Sequence, residues 1–435
     1  AVAAGRTVGA EANAPSPRLH CFLLSMALSD DTKNDLKGMV STIRERLTSE
    51  FTEQLQELYG IQPEGEIADV EGLGLVDEEQ RTVAEQLRES IEHYASGPDA
   101  SKKERKEAIQ RTIREQAFTV LNRFAALRLA EERDLVSESV GSGFDSAGFR
   151  VYERVAGSSL GETTYDRYRV YLECLFDELA LDLGVLFDRY APEGLLFPRE
   201  EALEDVLDAL NREDVEDAWT EDETIGWIYQ YFHPKSERKG MRDESQTPRN
   251  SREMAVRNQL FTPRYVVEFL VDNSLGRYWH EMTEGETDLT DDLDYFVPRE
   301  NELFLGEDED PPEDPDEDLY VAPYRDLKDP REIRLLDPAC GSMHFGLYAF
   351  DLFEQIYAEA WDRYPDLRAS LQEDLELEEG DREAFLREVP RLIIEHNLYG
   401  IDIDRRGGQV VGLARVARGP AGWGRRRPRR SRRPA

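Results

Sequence analysis

Cysteine is nearly missing from this sequence: 435 residues carry three, Cys21, Cys174 and Cys340, each far from the others. Neither a disulfide framework nor a Cys-x-x-Cys metal site can be built from them, and the chain reads as intracellular and cytoplasmic. Histidine is almost as sparse. The six residues His20, His93, His233, His280, His344 and His396 show no ligand spacing, so no metal is implied. Long apolar runs are missing too. The nearest, the eight-residue Cys21–Leu28 stretch, falls far short of the ~20 residues a membrane helix needs, so no membrane-spanning helix is expected. No Gly-Lys-Ser/Thr is present to cradle a nucleoside triphosphate.

Lysine is the last scarcity, with eight against 46 arginines, and together they face 92 acidic residues for a net charge of -38. Two readings fit: the solvated acidic surface of a halophile's protein encoded by a GC-rich genome, or a mimic of DNA's own charge. The first is favoured because the acids are spread through helical segments. In molar salt the Debye length is only ~3 Å, so a diffuse negative surface does not exclude a DNA substrate. With 40% hydrophobic and 9% aromatic residues, the chain is long enough for two to three packed domains and is not wholly disordered.

The first methionine is Met26, and residues 1–25, rich in Ala, Gly and Pro, read as a non-native upstream extension. A signal peptide is disfavoured because an acidic, helical segment follows at once. From Ser29 the residues Leu36, Val40, Ile43, Leu47, Phe51, Leu55 and Leu58 recur at helical spacing until Gly60. Further helices are predicted through Val83 to Tyr94, from about Lys102 to Glu132, and from about Tyr165 to Phe187. Together they give a helical N-terminal domain over 26–215, followed by a helical segment over 216–280. Between Glu281 and Asp318, 18 of 38 residues are acidic, which marks 281–330 as a solvated linker. The last 31 residues hold 11 arginines and no acid, and 414–435 reads as an Arg-rich tail translated out of frame.

After the linker the pattern changes. Ile333-Arg334-Leu335-Leu336 is strand-like, Asp337-Pro338-Ala339-Cys340-Gly341-Ser342 is a tight turn, and Phe350, Phe353 and Tyr357 mark an amphipathic helix. Strand, turn, helix opens an α/β unit that holds a nucleoside-bearing cofactor at the edge of a parallel sheet. One glycine at close-approach position, Gly341, suits a sulfonium cofactor better than a dinucleotide with phosphates to cradle. About 60 residues on, Asn397-Leu398-Tyr399-Gly400-Ile401-Asp402-Ile403-Asp404 ends a second strand in carboxylates, where Asp402 is placed to accept ribose hydroxyls.

These residues resemble a known family. DPACGSMHF is similar to the Asp-Pro-Ala-Cys-Gly-Ser-Gly motif of adenine-specific DNA methyltransferases, NLYGIDID to their acidic motif, and Asn258-Gln259-Leu260-Phe261-Thr262-Pro263 to their Phe-Thr-Pro segment. With Ile225–Phe232, Asn273–Trp279 and Ala117–Arg123, the resemblance is to the PglX-type methyltransferases of bacteriophage-exclusion (BREX) systems, and it covers most of Met26 to about Leu413. It implies a helical N-terminal domain followed by the first part, 331–413, of a Rossmann-like methyltransferase domain that uses S-adenosylmethionine. Phe261, Thr262 and Pro263 would line its methionine end. Asp337, Pro338, Ala339, Cys340, Gly341 and Ser342 would form the loop around it, and Asp402 would hold the ribose. Met343 stands where the motif usually has its second glycine.

The resemblance further implies double-stranded DNA as substrate and phage-defence proteins as partners. Adenine must be flipped from the stack and gripped for methylation, which the family does with Asn/Asp-Pro-Pro-aromatic downstream of the acidic motif. This chain has no such sequence, so it is expected to be a truncated form that binds cofactor weakly or not at all and has no catalytic residues of its own. Competing readings are a fused restriction-modification enzyme and a non-catalytic scaffold of a defence complex. Three lures are set aside: Asp310-Pro311-Pro312-Glu313 lacks the aromatic and lies in the acidic linker, Asp99 with Glu104-Arg105-Lys106 sits at a helix start rather than on nuclease strands, and Gly141-Ser142-Gly143 follows a helix rather than a strand.

Overall fold

The computed structural model describes residues 28–403 apart from 76, 96, 158–160, 222, 234, 250, 259–261, 313–318 and 379. The 1–25 and 414–435 segments, and a helix expected from Gln409, lie outside the described residues. Helix α1 (Asp30–Glu57) starts where the Ser29 hydroxyl accepts the Thr32 N–H at 3.0 Å, and its stripe of Leu36, Val40, Ile43, Leu47, Phe51 and Leu55 is buried. Helices α2 (Glu78–Tyr94) and α3 (Lys102–Glu132) follow, capped by Asp77 and by a Ser101–Glu104 capping box. From Ala117 to Leu127 every residue of α3 is buried, because α1, α2 and the next long helix surround it. Helices α4 (Ala147–Ala156), α5 (Thr164–Phe187), α6 (Glu200–Leu210) and α7 (Glu223–Phe232) complete one continuous core. That core runs through Trp219, Ile225 and Phe232, past the 215 boundary suggested by the sequence.

Arg123 anchors this core from within. Its buried guanidinium donates to the carbonyls of Leu186 (2.9 Å), Asp188 (2.7 Å) and Gly194 (3.0 Å), capping the end of α5. Burial holds its pKa down to about 10.

The chain continues through α8 (Lys235–Glu244), α9 (Ser251–Asn258), α10 (Arg264–Val271) and α11 (Arg277–Met282), the last two joined by a wide π turn over Asp272–Gly276. The acidic stretch after it is more than solvated chain. It forms a short parallel pair, β1 (Glu302–Phe304) with β2 (Tyr320–Ala322), and Glu302 clamps it to α11 through Arg277 at 2.7 Å and His280 at 2.8 Å. Strand β3 (Leu335–Asp337) then leads through α12 (His344–Arg363), α13 (Pro365–Asp374) and α14 (Arg382–Leu392) to β4 (Leu398–Gly400), which pairs parallel with β3, Leu336 opposite Tyr399.

A second core of Val267, Trp279, Phe353, Ile356, Tyr357, Phe385 and Ile393 joins α10 to α14. Buried Asn397 fixes the entry to β4. It donates to the carbonyls of Pro330 and Ile333, both at 2.7 Å, and accepts from the Tyr357 hydroxyl at 3.0 Å. The molecule is therefore mostly helical, with few and short strands among the described residues. No described helix is long and apolar enough to cross a membrane.

Candidate cofactor site

The β3–β4 pairing places the Asp337-to-Met343 loop beside Ile401 and Asp402. Three main-chain bonds set the geometry: Ile401 N–H to the Asp337 carbonyl at 2.9 Å, Cys340 N–H to the Ile401 carbonyl at 3.1 Å, and Met343 N–H to the Cys340 carbonyl at 2.6 Å. Gly341, at φ +47°, then turns its N–H onto the Asp402 carboxylate at 2.8 Å. Gly400 makes this approach possible, since a Cβ there would lie 2.9 Å from Cys340 Sγ. The structure thus brings Asp337, Ala339, Cys340, Gly341 and Asp402 together, with Pro338 exposed at the rim and Ser342 buried beneath.

Asp337 and Asp402 make the loop strongly negative. One Asp337 oxygen accepts the Ala339 N–H at 3.1 Å, and the other is buried with no hydrogen bond. Burial, then the Asp402 charge, raises the Asp337 pKa. The Cys340 thiol is pushed up to about 11 by burial and then by both carboxylates, so it stays protonated and is not a nucleophile. A buried carboxylate oxygen without a donor fits a ligand bearing hydroxyls or positive charge, and it would repel phosphates.

Met343 stands at a backbone position that suits glycine. Its backbone is left-handed (φ +60°, ψ +27°), a conformation costing a non-glycine residue roughly 1–2 kcal/mol. The side chain compensates by burial against Cys340 and Leu347, in a notch that a Cβ on Gly346 would close at 2.7 Å.

Thr262 and Pro263 lead into α10, while Phe261 lies outside the described residues. The Thr262 main chain bonds the imidazole of His344, the first residue of α12, which links this segment to the end of the loop. Burial holds His344 down to about 4, neutral at physiological pH. Sequence reading assigned no role to His344, although it lies inside the recognised motif, nor to Glu223 of α7, whose carboxylate is 3.9 Å from His344. No local signal marks Glu223, because its burial comes from tertiary packing. Asp272 was also missed. It is fully buried and takes the Tyr348 hydroxyl at 2.7 Å, fastening α10 to α12 behind the loop.

Two of the lures resolve into structural roles. Glu104 closes the α3 capping box, accepting the Ser101 N–H at 2.7 Å. The loop around Gly141 wraps the Glu131 carboxylate, which accepts the N–H groups of Ser139, Val140 and Gly141 at 2.6, 2.7 and 3.0 Å. Asp310, Pro311 and Pro312 are exposed, and Glu313 lies outside the described residues. Cavities also occur in the helical region. One of about 420 Å³ is lined by Arg123, Arg189, Glu173 and Phe197, but Arg189 already pairs with Asp177 at 2.9 Å and Arg123 is held by carbonyls, so the β3 loop is the better candidate.

Two curated proteins are similar to this chain. The adenine-specific methyltransferase PglX of Lacticaseibacillus casei (strain Zhang) is 26% identical over 345 residues, covering 72% of this chain and 26% of its own length. The adenine-specific methyltransferase BrxX of Escherichia coli O9:H4 (strain HS) is 27% identical over 362 residues, covering 76% and 27%. The chain resembles the PglX-type adenine methyltransferases. It spans about a quarter of the length of these relatives. No family model matches it.

Proposed function

We propose that this chain carries the amino-terminal helical domain and the first part of the Rossmann-like domain of an adenine-specific DNA methyltransferase acting in phage defence. The observation that carries this reading is the loop between two parallel strands, closed by the Gly341 N–H on Asp402 and leaving a buried Asp337 oxygen for a ligand. S-adenosylmethionine fits that donor set: it carries a sulfonium and an ammonium, no phosphate, and it supplies an activated methyl group when bound. Asp337 to Ser342 would wrap it, Phe261, Thr262 and Pro263 would line its methionine end, and Asp402 would take the ribose while sharing its carboxylate with Gly341. The names of the relatives give adenine as their target, and duplex DNA is the substrate this reading assigns to carry it.

Nothing in the 435 residues supplies the Asn/Asp-Pro-Pro-aromatic tetrapeptide that grips a flipped adenine. On this reading the chain as given lacks transferase activity and binds cofactor weakly. The test is a pair of assays on one preparation. Equilibrium dialysis should show weak, saturable binding of labelled S-adenosylmethionine, and incubation with duplex DNA should give no labelled adenine. Methyl transfer by this chain would refute the inactivity, and no binding at millimolar cofactor would refute the site.

A further inference from the structure

We propose that Glu223 is the carboxylate that receives the α-ammonium of the cofactor's methionine end, so that the helical region itself supplies part of the cofactor site. This rests on the cofactor reading above and assigns a residue to it from outside the recognised motifs. Glu223 is 7% exposed, and its Oε1 is buried with no hydrogen bond. Oε2 has one long contact, from the Trp227 indole N–H at 3.5 Å.

Its position is set by three segments that meet at the end of the cofactor loop. Glu223 opens α7, His344 opens α12 directly after Met343, and the Thr262 main chain bonds the His344 ring. The charged groups around Glu223 do not neutralise it fully. His344 Nε2 is 3.9 Å away but neutral, because burial dominates its titration. Arg264 of α10 and Lys33 of α1 act on it through their charges, and Arg264 also pairs with Glu268 at 2.6 Å. Glu221, just before α7, opposes them. Burial outweighs all of these and raises the Glu223 pKa.

A buried acceptor left without a donor is costly, and such groups cluster where a ligand completes them. A compact ammonium, with three donors and a positive charge, completes this one. A single carboxylate suits an ammonium better than a metal ion, which takes several ligands. At the other end of the loop, the unsatisfied Asp337 oxygen offers a second acceptor to the same ligand.

The test compares wild-type chain with Glu223→Gln, using S-adenosylhomocysteine and its deamino analogue, which keeps the carboxylate and lacks the amine. Thermal shift at millimolar ligand reads the affinities. Wild type should prefer the amine-bearing compound, and Glu223→Gln should lose about tenfold in affinity for it while binding the deamino analogue as wild type does. Without ligand, Glu223→Gln should melt higher than wild type at neutral pH. The raised pKa means the fold binds that proton more tightly than the unfolded chain, so ionisation costs stability. That gap should close as pH falls into the carboxylate range. Unchanged preference for the amine in Glu223→Gln, or a lower melting point at neutral pH, would overturn the inference and leave the cofactor reading standing. No shift of wild type by either compound would overturn the cofactor reading and the inference with it.

Discussion

The helical region and the sheet region differ in how they finish their surfaces. In the helical region α3 is surrounded, and the core from Leu36 to Phe232 is closed by side chains of the same region. In the sheet region α12 packs against β3 and β4, but the paired Leu336 and Tyr399, and Ile401 and Ile403 just after β4, are 57%, 41%, 60% and 55% exposed among the described residues. Parallel sheets are normally buried on both faces. Among the described residues the larger buried core therefore lies in the helical region, whereas the candidate site sits on a part whose strands carry exposed apolar side chains.

The largest effect that could break this contrast is in the helical core. Phe124→Ala should cost about 3–5 kcal/mol in urea unfolding, since Phe124 is fully buried between Phe176 and Phe197. A loss below ~1 kcal/mol would show that the helical core is loosely packed.

At the cofactor loop the expected effect is smaller and has an unusual order. Met343→Ala keeps the left-handed strain and loses the buried side chain, while Met343→Gly loses the side chain and removes the strain. Met343→Gly should therefore be the more stable of the two by about 1 kcal/mol. Equal stability, or Ala above Gly, would contradict the assigned backbone.

Asp337→Asn sharpens the electrostatic half of the contrast. The folded-state pKa of Asp337 is raised, so the fold holds that proton more tightly than the unfolded chain does. Stability from this group is present in acid and falls as pH rises past the unfolded value of about 3.9 and through the folded one. Asn removes that fall, so the variant should gain melting temperature relative to wild type as pH goes from acid to neutral. A constant difference across that range would contradict the uncompensated carboxylate.

The smallest effect belongs to the exposed apolar side chains, where Ile401→Ser should change stability by no more than about 0.5 kcal/mol. A loss of several times that would mean Ile401 is covered in solution.

How much of this was legible beforehand follows from the range of the signals. Helices α1, α2, α3 and α5 appear where their apolar spacing places them, since that signal is local. The β3 turn was legible for the same reason: Asp337, Pro338 and Gly341 encode a tight turn in a few residues. The β1–β2 pair was not, because strands of three residues within an acidic run have no apolar alternation to read, and Glu302 is recruited only by Arg277 and His280 from outside them. Nor was the left-handed Met343, a conformation its residue type disfavours and that burial stabilises. Glu223 was hidden most deeply, as only the tertiary fold brings its carboxylate to 3.9 Å from His344 at the start of α12.

Hydrogen–deuterium exchange with and without S-adenosylhomocysteine tests the location of the site most directly. Protection is predicted in peptides covering Thr262–Pro263, Asp337–Met343 and Asp402, with the amides of α1 and α3 unchanged. Protection at the Arg123–Arg189 cavity of the helical region instead, with no change at the β3 loop, would contradict the account.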